Sequence, residues 1–165
     1  MTLRDQRQKE FANSWLSHGK FGILNLCPRF GKIYTTINIL EQLPADIRVL
    51  IAYPDLKIKD AWESDLERRG YPMDNIRFTT HLSLKKHLDG EFDLLVLDEI
   101  HLLSEAQIEV CKDLIPHCRW VLGLTGTLSR FTEETLLEEL DMAVIGEYSI
   151  DDAIREGVIA DYEIS

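Results

Sequence analysis

Short apolar runs alternate along the chain with stretches whose apolar residues recur at helical spacing. Several of these runs are apolar at consecutive positions, which is typical of strands buried on both faces of a parallel sheet. Five runs are predicted as strands, at residues 23–26, 49–53, 76–79, 94–97 and 120–124.

The stretches between these runs are predicted as helices, at residues 33–42, 58–69, 82–88 and 105–114. In the second helix Trp62 and Leu66 share one face, and Gly70 followed by Pro72 ends it. The alternation of strand and helix predicts an α/β domain with helices on both faces of a mainly parallel, twisted sheet.

The composition is that of one folded domain with an acidic balance. The chain has 165 residues, of which 45% are hydrophobic and 28% charged, and its formal net charge is −11. This charge argues against a protein that grips nucleic acid through bulk positive charge, but a few local groups can still contact a phosphate backbone. Residues 131–152 hold eight acidic side chains and no basic one. We interpret them as a solvated helix face followed by a turn, with a docking surface for a basic partner as the alternative.

Neither a membrane partner nor a metal cluster is predicted. The apolar runs are too short for a membrane span, and residues 1–10 are too polar for a signal peptide. The odd number of cysteines (Cys27, Cys111 and Cys118) favours a reducing cytoplasm. A zinc site needs four donors, so Cys111 and Cys118 are predicted as buried thiols near the start of a strand, rather than as ligands together with His117.

The first candidate for chemistry is Cys27-Pro28-Arg29-Phe30-Gly31-Lys32, directly after a predicted strand and before a predicted helix. Backbone N–H groups at a helix N-terminus bind anions, and a lysine there reaches terminal phosphates. Gly31 is the only glycine of the segment, and Ile33 follows where a serine or threonine is usual. Taken alone, the segment also fits a plain connection between strand and helix.

The second and third candidates also follow predicted strands. Asp98 and Glu99 end an apolar strand, where an aspartate can hold magnesium and a glutamate can polarise a water molecule. Thr125 and Thr127 flank a glycine after the last strand, where their hydroxyls can bond across the sheet edge. The alternatives are acidic residues that begin a surface loop and a turn stabilised by its own threonines.

In this order and placement, the three segments resemble motifs of the N-terminal RecA-like domain of a superfamily 2 helicase of the DExH type. Asp98-Glu99-Ile100-His101 resembles motif II, Arg29-Phe30-Gly31-Lys32 stands at motif I, and Leu124-Thr125-Gly126-Thr127 resembles motif III. The resemblance covers nearly the whole chain. It extends to a Q-type segment at residues 3–8, motif Ia at 49–54 and an exit segment at 145–165.

The resemblance implies a three-layer, P-loop NTPase fold that binds ATP and Mg²⁺. Asp98 would hold the magnesium, Glu99 would orient the hydrolytic water and Lys32 would contact the β- and γ-phosphates. Gln8, with Gln6 as second choice, would read adenine. The remaining implied ATP-binding residues are Pro28, Arg29, Phe30, Gly31 and Ile33. His101, Thr125 and Thr127 would couple nucleotide state to nucleic-acid contacts, which would involve Pro54 and Thr80.

One departure from the motifs bears on magnesium. Ile33 stands where the family has the serine or threonine whose hydroxyl ligates the ion, and an isoleucine has no donor atom. We therefore expect weaker magnesium-dependent nucleotide binding through Asp98. The same departure favours an alternative, a degenerate lobe that binds nucleotide or a partner without hydrolysis.

The implied function is the motor lobe of an ATP-dependent helicase or translocase on single- or double-stranded nucleic acid, with DNA favoured. Such motors receive arginines from a second RecA-like lobe, in cis or in trans, and no such motif follows the exit segment. We expect residues 1–165 to form one RecA-like domain that alone hydrolyses little ATP. The short spacers resemble those of phage or viral helicases, which implies the host cytoplasm. A restriction-type translocase remains a further alternative.

Overall fold

Six strands carry the fold in the computed structural model, which describes residues 1–160. The strands are β1 (Phe21–Leu26), β2 (Val49–Tyr53), β3 (Ile76–Thr80), β4 (Phe92–Leu97), β5 (Cys118–Thr125) and β6 (Val144–Tyr148). They form one sheet in the order β3-β2-β4-β5-β1-β6, and every strand pair is parallel. All six carboxyl ends therefore meet at one edge, where open α/β sheets bind ligands.

Six α-helices connect or flank the strands. They are α1 (Leu3–Ser17), α2 (Lys32–Glu41), α3 (Lys57–Arg68), α4 (Glu105–Leu114), α5 (Arg130–Leu140) and α6 (Ile150–Arg155). Short 3₁₀ turns lie at Leu84–His87, Ile100–Leu102 and Ile115–His117. Hydroxyl side chains begin several of the helices. Thr2 caps α1, Ser104 caps α4 and Ser149 caps α6, each in a reciprocal capping box.

The sheet is buried on both faces, which explains its consecutive apolar residues. In β4, Leu94 and Val96 join one apolar layer, which includes residues of α1, α2 and α3. Leu95 and Leu97 join the other, which includes residues of α4 and α5. Successive side chains of a strand point to opposite faces, so a strand covered on both sides needs an apolar residue at every position. The result is the predicted three-layer arrangement.

The predicted strands are confirmed: β2 has the predicted bounds, and each of the other four is extended by one or two residues at one end or both. The helix predicted at residues 82–88 is wrong: only the 3₁₀ turn Leu84–His87 forms there, and Leu84 is its one buried residue. Without a repeating apolar stripe, nothing holds a longer helix against the sheet.

Two elements carried too little pattern to be predicted. α1 was expected only as a Q-type segment, because its few buried residues (Gln8, Ala12 and Trp15) are spread through a polar sequence. β6 is an edge strand with an exposed Glu147 inside it, and it occupies part of the segment interpreted as a turn. The last five residues of the expected exit segment, 161–165, lie outside the described residues.

The cysteines contribute thiols to the interior. Cys111 is fully buried in α4, and burial raises its pKa to about 12. Cys118 is only half-buried, and burial raises its pKa to about 11. Across residues 1–160, no three His, Cys, Asp or Glu side chains are grouped to hold a metal ion. None of the helices in this part of the chain is long and apolar enough to cross a membrane.

Candidate functional site

The loop between β1 and α2 forms the floor of the site. Arg29 and Gly31 have positive φ values of 69° and 98°, and Gly31 is the residue that precedes the first turn of α2. Between them, the Phe30 ring is fully buried and packs 4.8 Å from the ring of Tyr148 and 5.7 Å from that of Phe11, centroid to centroid. Phe30 therefore anchors the loop from below, and only its backbone is placed to meet a ligand.

Gln8 lies directly beneath this loop. Its side chain is 4% exposed, and Nε2 donates a hydrogen bond to the Phe30 carbonyl at 2.8 Å. A Cβ at Gly31 would stand 2.4 Å from the same nitrogen. A side chain at position 31 would therefore have to displace the Gln8 amide from its hydrogen bond with the loop, and the positive φ of Gly31 also favours glycine there.

Lys32 joins the loop to the end of β4. Its ammonium forms an ion pair with Glu99 and lies 3.6 Å from Asp98 Oδ1. The lysine and Glu99 side chains are each about one-fifth exposed, whereas that of Asp98 is nearly buried. The structure therefore brings the three predicted catalytic residues together at one point of the sheet edge.

Asp98 has one oxygen that accepts a hydrogen bond and one that does not, and the second is ion-paired with Lys32. Oδ2 accepts a hydrogen bond from the Trp62 indole at 3.0 Å, whereas Oδ1 is buried without a hydrogen-bond partner among the described residues. An orphaned carboxylate oxygen at a sheet edge fits a hard cation such as Mg²⁺, which takes oxygen ligands. Ile33 supplies no such donor, and the hydroxyls of Thr35 and Thr36 are bonded to carbonyls within α2.

Glu99 and the residues after it link the site to β5. Glu99 adopts a left-handed conformation with φ 51°, and its Oε2 lies 3.6 Å from His101 Nε2. His101 Nδ1 lies 2.8 Å from Thr125 Oγ1, which donates to the Thr127 carbonyl at 2.9 Å. A hydroxyl has one proton to give, so Nδ1 must be the donor in the contact with Thr125. Burial first, and then the positive charge of Lys32, lower the pKa of His101.

The two predicted nucleic-acid residues are placed differently. Pro54 lines a cleft of about 530 Å³ whose walls include Arg29, Lys32, Ile33 and Glu99. Thr80 ends β3, two strand positions from β4, and its hydroxyl accepts a hydrogen bond from the Ser83 backbone. Both lie at the carboxyl edge, but only Pro54 belongs to the cleft beside Lys32.

Two groups of residues at the site carried no sequence signal for their roles. His81 is 3% exposed, and its Nε2 contacts the Asp98 carbonyl at 2.8 Å.

On the other side of the site, Arg7 binds both oxygens of Glu156, at 3.0 and 2.7 Å. The same carboxylate accepts a hydrogen bond from the Tyr148 hydroxyl at 2.5 Å, and these contacts lower its pKa to about 2. The partners are 8 and 149 residues apart in sequence, so no local pattern predicts the group.

Solved structures share this fold. The Pyrococcus furiosus Hef helicase domain matches 87% of the chain with a TM-score of 0.70 at 14% identity, and the match covers 37% of that chain. The UvsW helicase from bacteriophage T4 matches 86% with a TM-score of 0.64 at 17% identity, covering 59% of that chain. The Sulfolobus solfataricus SWI2/SNF2 ATPase core, solved in complex with dsDNA, matches 78% with a TM-score of 0.61 at 18% identity, covering 32% of that chain.

These likenesses define the class of fold. The chain has the RecA-like fold of these helicase and ATPase domains, which confirms the predicted fold class. It spans less than two thirds of the length of each of these structures. No protein-family model matches the sequence, and neither does any curated protein.

The closeness of Gln8 and Gly31 predicts a specific cost for a side chain at position 31. Gly31→Ala should destabilise the protein more than Gly70→Ala, because a Cβ at Gly70 would meet nothing within 4 Å. Both glycines have positive φ, so both variants carry a conformational cost of about 1–2 kcal/mol. The additional loss of unfolding free energy in Gly31→Ala then measures the contact between its Cβ and Gln8. Urea unfolding measures both, and Gln8→Ala added to Gly31→Ala should recover part of the excess. Equal losses at the two glycines would contradict the prediction.

The buried histidine predicts a pH dependence. Burial lowers the pKa of His81, so the unfolded chain binds its proton at a higher pH than the folded protein does. The free energy of unfolding should therefore fall as the pH drops below about 6.5, the ordinary imidazole value. His81→Gln keeps a neutral donor and should reduce this slope; His87 and His101, whose pKa values are also lowered, account for the remainder. Urea unfolding over this pH range tests the prediction, which fails if both proteins give the same slope.

Proposed function

We propose that the chain is the ATP-binding motor lobe of an ATP-dependent helicase or translocase. In this proposal it hydrolyses ATP to ADP and phosphate when paired with a second RecA-like lobe, supplied in cis or in trans. The observation that supports it most is the meeting of Lys32, Asp98 and Glu99 at the carboxyl edge, beside a helix N-terminus and a loop held by Gln8. Each residue type then stands where phosphoryl transfer uses it.

Binding begins with an exchange of partners at Lys32. Its ammonium leaves Glu99 and pairs with the β- and γ-phosphates, while backbone N–H groups at the start of α2 face the same oxygens. Asp98 Oδ1 would hold a magnesium ion, which would neutralise charge on the phosphates when bound. Gln8 reads the adenine from beneath the loop.

Hydrolysis then uses the carboxylate that Lys32 has released. Glu99 orients a water molecule and accepts its proton as the water oxygen attacks the γ-phosphorus. The bond from that phosphorus to the β–γ bridging oxygen breaks, and ADP leaves with the bond's electrons. Arginines from the second lobe stabilise the charge of the transition state, so this lobe alone should turn over little ATP.

The coupling of hydrolysis to nucleic acid runs through β5. A change at Glu99 reaches His101, whose Nδ1 proton is held by Thr125, and Thr125 is bonded in turn to Thr127. Pro54 and Thr80 lie along the same edge and contact the nucleic-acid backbone in this proposal. DNA is favoured as the track, because the similar SWI2/SNF2 core was solved with dsDNA.

A restriction-type translocase is the second candidate, and one observation favours it. A nuclease-deletion mutant of the Type ISP restriction-modification enzyme LlaGI, in complex with a DNA substrate mimic, matches 93% of this chain with a TM-score of 0.69. The identity is 18% and the match covers 20% of that chain. The two candidates share the ATP site and differ only in the domains joined to it.

The proposal predicts that ATP binding depends on Lys32. Lys32→Ala should abolish magnesium-dependent ATP binding in calorimetric titrations, because the phosphates lose their cation. Lys112→Ala is the matched control: this lysine also pairs with two carboxylates, Glu109 and Glu139, but on α4 away from the site. Glu99→Gln should still bind ATP and should lose nucleic-acid-stimulated phosphate release once a second lobe is present. Stimulated release by Glu99→Gln would refute its role, and wild-type ATP binding without any stimulated release would favour the degenerate lobe.

Ile33 predicts a gain of function. Ile33→Thr restores a hydroxyl where the resemblance expects a magnesium ligand and should tighten magnesium-dependent ATP binding by about tenfold, equivalent to about 1.4 kcal/mol. Ile33→Val is the matched control, since it has the same branched shape without the oxygen. ATP affinities measured with magnesium and with a chelator distinguish a change in magnesium-dependent binding from a change in ATP binding that does not involve magnesium. The hypothesis is wrong if Thr and Val give the same affinity.

A further inference from the structure

Asp98 is fixed at every polar atom except one. Its backbone N–H donates to the Ala52 carbonyl at 2.8 Å, and its own carbonyl contacts His81 Nε2 at 2.8 Å. Oδ2 accepts from Trp62 Nε1 at 3.0 Å. Among residues 1–160, only Oδ1 is left without a hydrogen bond; it is buried, and the Lys32 ammonium lies 3.6 Å from it. The hydrogen bond from Trp62 therefore determines which of the two carboxylate oxygens remains without a hydrogen bond.

Trp62 is well suited to that task. It lies on the inner face of α3, is 0% exposed and packs with Leu66 in the apolar layer beneath the sheet edge. In a close-packed interior, an indole cannot rotate without displacing its neighbours, so the direction of its N–H is set. An indole nitrogen is a donor only and does not titrate, so it can neither bind a cation nor change charge.

A free carboxylate at this position would have a competing partner. Lys32 Nζ lies 3.6 Å from Oδ1 and is already paired with Glu99. With Oδ2 bonded to Trp62, only Oδ1 pairs with the ammonium. If Oδ2 were released, the carboxylate could turn both oxygens towards the ammonium, and a cation would then have to displace two contacts instead of one. Because Ile33 offers no donor atom, the chain has no hydroxyl at this position to compensate for a misdirected Asp98.

From these contacts we infer that Trp62 is a positioning residue, which holds the Asp98 carboxylate so that Oδ1 alone faces the cation of a magnesium–ATP complex. The inference rests on the proposed function, since it concerns the same ATP site. It assigns to α3 a share in cation binding, which the helix exerts through Asp98. Groups that orient a metal ligand commonly change metal affinity by about 10–100-fold when they are removed.

The test compares the magnesium dependence of ATP binding in matched variants. Trp62→Phe keeps an aromatic ring and removes the N–H, and it should raise the magnesium concentration for half-maximal enhancement of ATP binding by about tenfold. ATP affinity in the presence of a chelator should not change. Trp15→Phe is the control, because Trp15 is also 0% exposed and donates one hydrogen bond, from Nε1 to the Val121 carbonyl at 3.2 Å, remote from Asp98.

A second variant separates the hydrogen bond from packing. Trp62→His removes the six-membered ring but keeps an N–H near the position of Nε1. Measured well above the ordinary imidazole pKa, it should restore most of the magnesium dependence lost in Trp62→Phe. If packing were the cause, the histidine variant would be the worse of the two, and that result would overturn the inference.

The remaining outcomes are also decisive. Wild-type magnesium dependence in Trp62→Phe overturns the inference and leaves the proposed function intact. The inference is likewise overturned if Trp62→Phe weakens ATP binding equally with magnesium and with a chelator, because the effect is then general. A wild-type chain whose ATP binding gains nothing from magnesium overturns the proposed function, and the inference with it.

Discussion

The contact on which the site depends is the grouping of Lys32 with Asp98 and Glu99. Lys32 begins α2 after the β1 loop, Asp98 and Glu99 follow β4, and β5 lies between β1 and β4 in the sheet. The lysine therefore spans a strand whose own end carries the Thr125 hydroxyl. Because all strands run parallel and are buried on both faces, their carboxyl ends cannot shift independently. The rigidity of the whole sheet therefore keeps Lys32, Asp98 and Glu99 at a fixed distance from one another.

The same grouping bears on how an acidic protein could bind the polyphosphate of the proposed function. One ammonium faces two carboxylates, so the cluster is itself negative, in a chain of formal net charge −11. A polyphosphate alone would be repelled by those carboxylates, whereas a phosphate accompanied by a divalent cation brings the missing positive charge. Under the proposed function, charge balance would therefore favour the magnesium complex of a nucleotide over the free nucleotide.

The sequence predicted what local patterns determine. Consecutive apolar residues gave the buried strands, and the order of Gly31-Lys32, Asp98-Glu99 and Thr125 placed three loops at one edge. It did not predict α1 as a helix or β6 as a strand, because Gln8, Ala12 and Trp15 form a sparse pattern and Gly146 and Glu147 interrupt another. It also could not show that Trp62 bonds to Asp98, since the two are 36 residues apart and meet only through packing. Contacts of that kind are formed by tertiary packing, which local sequence patterns do not reveal.

The pairing of Arg7 with Glu156 has a mechanical consequence. Arg7 belongs to α1 beside Gln8, and Glu156 follows α6 and also holds the hydroxyl of Tyr148, whose ring lies against Phe30. A second anchor lies close by, where Arg4 donates to the Val158 carbonyl at 2.7 Å. A force applied to the chain after residue 158 would therefore load, besides the buried Ile159, two arginines of α1, the helix that positions Gln8 under the loop between β1 and α2. The side chains that would carry tension at this end of the domain, Arg7, Glu156 and Tyr148, are therefore the same ones that support the loop around Phe30.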